Sequence, residues 1–194
     1  MKSAASSATE SGDRLDFGTL DNSFDIVGPP LTVTASQQLV FYNLGPNVTG
    51  SNAYADNSSA ATQALSNRRT ATNAAGAATT ITLSSLAGLP VGDRAPPYRV
   101  IAVTTPVTYR CDLAAGTLKR YQGYGFVAAQ PDPPAGGSNA VLATGVTACR
   151  FSVEGTLVAA RAALVNLQLT LSGSTSTNTE SVSLQHAVYV SNQP

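Results

Sequence analysis

Two stretches near the C-terminus, ALVNLQLTLS (residues 163–172) and SVSLQHAVYV (residues 181–190), alternate apolar and polar side chains. In the first, apolar residues fill the odd positions up to Leu171, and amide and hydroxyl side chains fill the even positions from Asn166 onward. In the second, the apolar residues Val182, Leu184, Val188 and Val190 lie on one face, and Ser181, Ser183 and Gln185 lie on the other. A period of two is the pattern of a β-strand with one buried and one solvated face. Since the polar segment 173–179 joins them, the sequence predicts an antiparallel hairpin with one wet face.

Short β-prone runs bounded by Gly, Pro, Asn and Ser occupy most of the remaining chain. Such runs, with almost no helical periodicity, indicate a mainly β, antiparallel sheet or sandwich-like domain. One helical turn is predicted at 60–65, within a polar loop over 45–67. We assign residues 1–12 to a flexible N-terminal segment and 13–194 to one globular domain. The predicted runs are 25–27, 38–42, 68–72 and 78–83 (a hairpin with Gly76 in its turn), 98–103, 107–111 and 118–124.

The composition excludes several classes of function. The 194 residues carry no net charge and only 11% charged side chains, so the basic patch that drives nucleic-acid binding is absent. With 43% hydrophobic residues the chain can fold around a core. A single His leaves few groups to move protons near neutral pH. We therefore expect no catalytic residue, no cofactor and no enzymatic activity.

Two cysteines are the remaining chemical feature. Cys111 shares its strand face with Val107 and Tyr109, and Cys149 shares its face with Phe151, so both thiols are predicted to point inward. They could form a disulfide, stay as two inert core thiols, or be two metal ligands without partners. The lone His and the lack of a Cys-x-x-Cys motif weaken the metal hypothesis. The secreted-type composition favours the disulfide, which implies an oxidising compartment.

Other residues that could mark a site have simpler interpretations. The acidic residues Asp13, Asp16, Asp21 and Asp25 suggest calcium, but their spacing does not match an EF-hand loop and a solvated segment explains them. His186 lies on the apolar side of its strand and is predicted to be a core or edge histidine.

Three further patterns are weak as functional signals. The pair Arg68-Arg69 is too short for a nucleic-acid patch. The glycosylation-type triplets at Asn47 and Asn57 are expected by chance. The aromatic group formed by Tyr121, Tyr124 and Phe126 is predicted to be core rather than a partner contact.

The order of motifs along the chain resembles one family. The motifs that carry the resemblance are Asp16-Phe17-Gly18, Ser23 to Pro29, Leu39 to Gly45, Asn52 to Ala55, Pro106 to Cys111, Val146 to Phe151, Leu164 to Leu171, and Glu180 to His186. Together they look like the globular part of the MshO family, minor pilin-like proteins of the mannose-sensitive haemagglutinin (MSHA) type IV pilus. No single motif is diagnostic, but the order and both cysteines are similar over nearly the whole chain after Gly12.

The resemblance implies a structural role in pilus assembly. Proteins of this family are similar to the J-type pseudopilin of type II secretion and are thought to contact other minor pilins in a complex that starts fibre growth. They begin with a leader, an apolar helix of about 20 residues and a first strand, which this sequence lacks, so we interpret it as the N-terminally truncated globular domain. The resemblance places the full-length form in the inner membrane through that helix, and its globular part in the periplasm or the surface pilus.

A second hypothesis comes from a different class of function. The chain could be a carbohydrate-binding, adhesive β-sandwich in which exposed aromatic side chains and the Asn/Asp-rich loop over 47–57 hold a glycan. An enzyme is the third and least favoured, given the residue inventory.

Overall fold

The computed structural model describes residues 12–191, except 47, 94–97, 155–161, 175 and 177. The fold is mainly β with antiparallel sheets, as predicted. The predicted N-terminal segment, apart from Gly12, lies outside the described residues. Contacts within the chain group into two compact units, where the sequence analysis assigned one domain over 13–194. The first holds the described residues up to Thr104 with Phe126–Ala128; the second holds Thr105–Gly125 and the described residues of 129–193.

The first unit contains seven strands, a single-turn helix and a short 3₁₀ helix. Five strands form an antiparallel sheet in the order β1-β6-β4-β3-β7, and β2 pairs with β5. The bounds are β1 Ser23–Asp25, β2 Leu31–Val33, β3 Gln38–Phe41, α1 Ala60–Gln63, β4 Arg68–Ala71, β5 Gly76–Ala78, β6 Thr80–Ser84, the 3₁₀ helix Val91–Asp93 and β7 Val100–Val103.

An apolar core holds this unit together. Phe24 of β1 and Phe41 of β3 meet edge to face with ring centroids 5.9 Å apart, and both are fully buried. They are surrounded by other buried residues of the core: Leu15, Val33, Leu39, Ala71, Ile81, Leu83 and Leu89. Burying side chains of this size contributes about 1.5–3 kcal/mol each, so the unit has a core sufficient for its size.

A buried arginine ties two loops to this sheet. Arg69 of β4 is fully buried, and its guanidinium donates to backbone carbonyls on both sides. Nη1 donates to the carbonyls of Ser66 and Arg68, at 2.9 and 2.8 Å. Nη2 donates to three more carbonyls, those of Gln63, Ala87 and Gly88. These bonds join the segment after α1 to the segment after β6.

The second unit consists of two three-stranded antiparallel sheets, β10-β9-β8 and β11-β12-β13. Gly145, at the turn between β10 and β11, has φ +71°, and a Cβ there would meet the Ser172 carbonyl oxygen at 2.5 Å, so the turn requires glycine. The bounds are β8 Val107–Asp112, β9 Thr117–Gln122, β10 Ser138–Thr144, β11 Val146–Glu154, β12 Ala162–Ser174 and β13 Thr179–Ser191.

The predicted strands correspond to strands of the structure with three differences in extent or pairing, and the structure adds β2 and β10, which the sequence did not predict. The strand expected at 25–27 is β1 at Ser23–Asp25, because Phe24 is the residue that enters the core. The sequence predicted that the segment around Gly76 is only the turn of a hairpin. In the structure this segment contains β5, which pairs with β2. The C-terminal hairpin extends into the predicted turn, so that only 175–178 remain outside its strands. The helical turn at 60–65 is confirmed as α1.

Candidate interaction surface

The sheet β11-β12-β13 has one apolar and one polar face. Residues directly opposite in an antiparallel sheet point to the same side, and the register therefore sorts the side chains. Leu167 of β12 is opposite Phe151 on one side and His186 on the other. The next paired positions along the face are also apolar, with Val165 opposite Val153 and Val188, and Leu169 opposite Cys149 and Leu184.

A disulfide and a small core cover one end of this apolar face. Cys111 of β8 and Cys149 of β11 are joined, with their Cα atoms 6.2 Å apart. Around the bond, Leu118 of β9 packs with Val146 and Leu169, all of them buried. The sheet β10-β9-β8 thereby shields the apolar face at the Cys149 end.

The rest of the apolar face is open to solvent in the structure. The sequence predicted a buried face here, but five of its apolar side chains have exposed fractions between 42% and 57%: Phe151, Val153, Val182, Leu184 and Val188. Val107 and Tyr109, which share the strand face of Cys111, are also exposed. Contiguous exposed apolar patches are typical of interaction sites, which makes this face the candidate interaction surface. We call the five residues the open apolar patch.

The opposite face carries mainly amides and hydroxyls, with Arg150 on β11 and the exposed pair Leu164 and Tyr189 towards one end. Gln168 of β12 lies between Arg150 and Gln185, and Thr170 bonds Ser183 through their hydroxyls at 3.1 Å. A groove of about 510 Å³ runs along this face. Among the described residues, exposed large apolar side chains on this face are limited to Leu164 and Tyr189, whereas the open apolar patch extends along both β11 and β13.

His186 lies beside the open apolar patch. It is on β13, opposite Leu167, and is exposed. The structure thus places it at the sheet edge, one of the two positions predicted for it. Nothing in its surroundings assigns it a chemical role.

The acidic residues near the N-terminus bind the protein's own polar groups. Asp21 accepts from the amides of Asp16 and Ser23, at 2.7 and 3.3 Å. Asp25 accepts from the Asp13 amide and from the Thr80 hydroxyl. Within the described part of the chain, no three His, Cys, Asp or Glu side chains come together as a metal site requires.

Arg68 is buried against an aromatic ring. Its guanidinium lies 4.1 Å from the Phe126 ring centroid and donates to the Ala53 and Ala55 carbonyls and to Gln38. The cation therefore organises the loop over 53–55 and is not part of a basic surface.

The glycan hypothesis depended on polar side chains in the loop over 47–57, and several of them bond to the loop itself. Asn52 donates to the Pro46 carbonyl and accepts from the Tyr54 amide, both at 2.9 Å. Asp56 accepts from the amide and hydroxyl of Ser58, which hold the pKa of that carboxyl below its usual value. Side chains engaged in this way order the loop, which leaves less hydrogen-bonding capacity for a sugar. Asn47 lies outside the described residues.

The predicted aromatic group is partly core. Tyr121 is buried, whereas Tyr124 and Phe126 are half-buried. The Tyr124 hydroxyl bonds that of Thr108 at 2.8 Å. Phe126 contacts Arg68 and lies 6.5 Å from the Tyr54 ring.

One buried acidic residue was not predicted from the sequence. Asp93 in the 3₁₀ helix is 1% exposed and accepts from the Ser51 hydroxyl at 2.7 Å. Burial raises its pKa to about 7, against the opposing effects of Ser51 and the Arg69 charge. Perturbed acids occur in active sites, but this carboxyl is enclosed, so we assign it a structural role. The only signal in the sequence is an acid close to apolar residues, which is too common to be informative.

Replacing Asp93 with Asn is expected to remove a pH dependence of stability. Because its pKa in the folded state is above the unfolded value of 3.8, the folded state binds the proton more tightly. The wild-type free energy of unfolding should fall as the pH rises from about 4 to about 7 and then level off. At pH 8 we expect the Asp93→Asn variant to be more stable by a few kcal/mol, on the order of 2–4.

Urea denaturation between pH 4 and 8 measures this effect. Asp16→Asn is the matched control, because Asp16 is exposed. Equal pH slopes for wild type and Asp93→Asn would show that the buried carboxyl does not titrate as described.

Neither the sequence nor the structure matches a protein-family model, a curated protein or a solved structure. Among the residues described here, no helix has the length and apolarity needed to cross a membrane.

Proposed function

We propose that the chain is a structural, non-enzymatic protein of the minor pilin type, which takes part in assembly of an MSHA-like pilus through contacts with other minor pilins. The observation that carries the proposal is the open apolar patch on the sheet β11-β12-β13. When a partner buries side chains such as Phe151 and Val153, the complex is stabilised by about 25 cal/mol for each Å² of apolar surface removed from water. A neutral, weakly charged chain also binds neighbours without a large cost of removing charges from water.

The dimensions of the patch suit an apolar helix. Three strands about 4.8 Å apart present a strip close to the 10–12 Å diameter of a helix with its side chains. Family members that the sequence resembles carry such a helix, which makes an apolar helical segment of a pilus subunit a suitable occupant. None of the five patch residues is charged, and Glu180, which lies on the same face beyond Val182, is exposed near the start of β13, so a partner can cover the patch without burying that carboxylate.

The disulfide supports the compartment that this role requires. A bond between Cys111 and Cys149 persists in an oxidising environment. We propose that the domain works in the periplasm or at the cell surface. Mass spectrometry of the chain recovered from each compartment, without reductant, tests this placement.

Changing Phe151 to Asp is expected to weaken capture of the other minor pilins by at least about tenfold. The variant replaces an apolar contact with a carboxylate, which loses hydrating water when the partner covers it. Ser152→Asp is the matched control, because the neighbouring residue points to the polar face and adds the same charge. Co-purification of the tagged 194-residue chain with the minor pilins of its own operon gives the readout.

The two variants separate the possible outcomes. Loss of capture with Phe151→Asp and retention with Ser152→Asp supports the proposal. Equal capture by both variants, or no capture by the wild type, contradicts it. Binding on a glycan array with no minor-pilin complex would favour the carbohydrate-binding alternative.

A further inference from the structure

The edge strand β13 offers a long, unprotected set of backbone hydrogen-bonding groups. It spans 13 residues and, among the described residues, pairs on one side only, with β12. All residues from 179 to 189 are exposed. The register with β12 runs without a shift from Thr179 to Ser191, so the edge is regular over its whole length.

The other edges of the second unit carry features that discourage strand pairing. Register shifts interrupt β10 at Val141/Ala143 and β11 at Val146/Ala148. β8 carries Arg110, which forms a salt bridge with Asp112 with 2.7 Å between Nη1 and Oδ2. Bulges and charges of this kind are how natural sheets keep their edges from pairing. β13 contains no Lys, Arg or Pro, so its edge is the one open to another strand.

We infer that a second copy of this chain pairs with the β13 edge, in antiparallel orientation about a two-fold axis at Gln185. Residue 185 is the midpoint of the strand, so this register pairs every residue of β13 with one of its copy. Val182 then lies opposite Val188 of the partner subunit, and Leu184 lies opposite His186 of the partner subunit. Gln185 lies opposite Gln185 of the partner subunit, so each side-chain amide can donate a hydrogen bond to the other.

The charges and the faces both fit this arrangement. The one acidic residue of β13, Glu180, is far from the axis and faces no like charge in this register. A two-fold axis perpendicular to the sheet keeps the apolar sides of both copies on the same face. The result is a six-stranded sheet whose apolar pairs stabilise the new contact. Because the pairing uses the β13 edge of both copies, the contact is isologous and closes as a dimer rather than extending into a fibre.

Changing Gln185 to Lys is expected to weaken the dimer by about tenfold or more, because two like charges would face each other at the axis and the amide pair would be lost. Gln168→Lys is the matched control. It adds the same charge to the residue directly opposite Gln185 within the sheet, on the inner strand. Sedimentation equilibrium of the full 194-residue chain over a range of concentrations measures the dissociation constant for each.

A charge-reversal pair makes the test specific. Mixing Gln185→Lys with Gln185→Glu should restore a dimer containing one copy of each, since opposite charges then meet at the axis. A wild-type chain that stays monomeric at high micromolar concentration would overturn the inference. A dimer unaffected by Gln185→Lys, or weakened equally by Gln168→Lys, would do so as well. The dimer is independent of the proposed pilus role, which the Phe151 variants test on a different strand.

Discussion

Replacing Arg69 with Met is expected to lower the free energy of unfolding by about 3–5 kcal/mol. The guanidinium donates to five backbone carbonyls while fully buried, and methionine donates to none. Each acceptor left without a donor costs free energy, because water cannot replace the lost bond inside the protein. Arg69→Lys should be only a partial remedy, since an ammonium group has three donors and lacks the planar fork.

The denaturation midpoint in urea, with its slope, measures this loss. Arg99→Met is the control from the same unit, because Arg99 is exposed, and it should change stability by no more than about 0.5 kcal/mol. If Arg69→Met were as stable as Arg99→Met, the buried guanidinium would not be holding the two loops.

Breaking the Cys111–Cys149 bond is expected to destabilise the second unit by about 4 kcal/mol. The two residues are 38 positions apart, and the chain-entropy relation gives this value for a loop of that length. The buried core beneath the bond is small, consisting of Leu118, Val146 and Leu169, so it offers little to offset the loss. We expect amide hydrogen exchange to speed up across β8 to β13 on reduction, while the first unit keeps its protection.

The double variant Cys111→Ser with Cys149→Ser provides the control. Reductant should not change its exchange, whereas it should change that of the wild type. Unaltered protection in β8 and β11 after complete reduction would show that the bond does not stabilise this unit.

The sequence predicted the fold class because strand patterning is local. Alternation over 163–172 and 181–190 places each side chain on one of two faces, and the Ser/Thr/Gly segment between them limits how the strands can pair. The pairing of β2 with β5 was not predicted, because it joins residues 31–33 to 76–78 and no local pattern encodes that distance. The five strands of the larger sheet in the first unit were predicted to within two residues for the same local reason, whereas β2 and β5 were not predicted as strands.

The candidate surface was only half predictable. Periodicity identified the apolar face, but whether a face is covered depends on other parts of the chain, and here the second sheet covers only the Cys149 end.

Buried charges were missed for a related reason. Arg69 stands next to Arg68 in a pair that looks solvated, and it is buried because the loops that supply its carbonyl acceptors close over it.

Site-specific photo-crosslinking tests the central claim most directly. A photoreactive phenylalanine analogue replaces Phe151, in the open apolar patch, or Tyr189, which is 67% exposed and points to the opposite face. Both positions are aromatic, so neither replacement introduces a new kind of side chain. In cells that assemble the pilus, we predict crosslinks from position 151 to a different pilus subunit, whereas position 189, on β13, should crosslink only to a second copy of this chain. Crosslinks to a different pilus subunit from position 189 alone, or from neither position, would contradict the assignment of the apolar face as the contact surface.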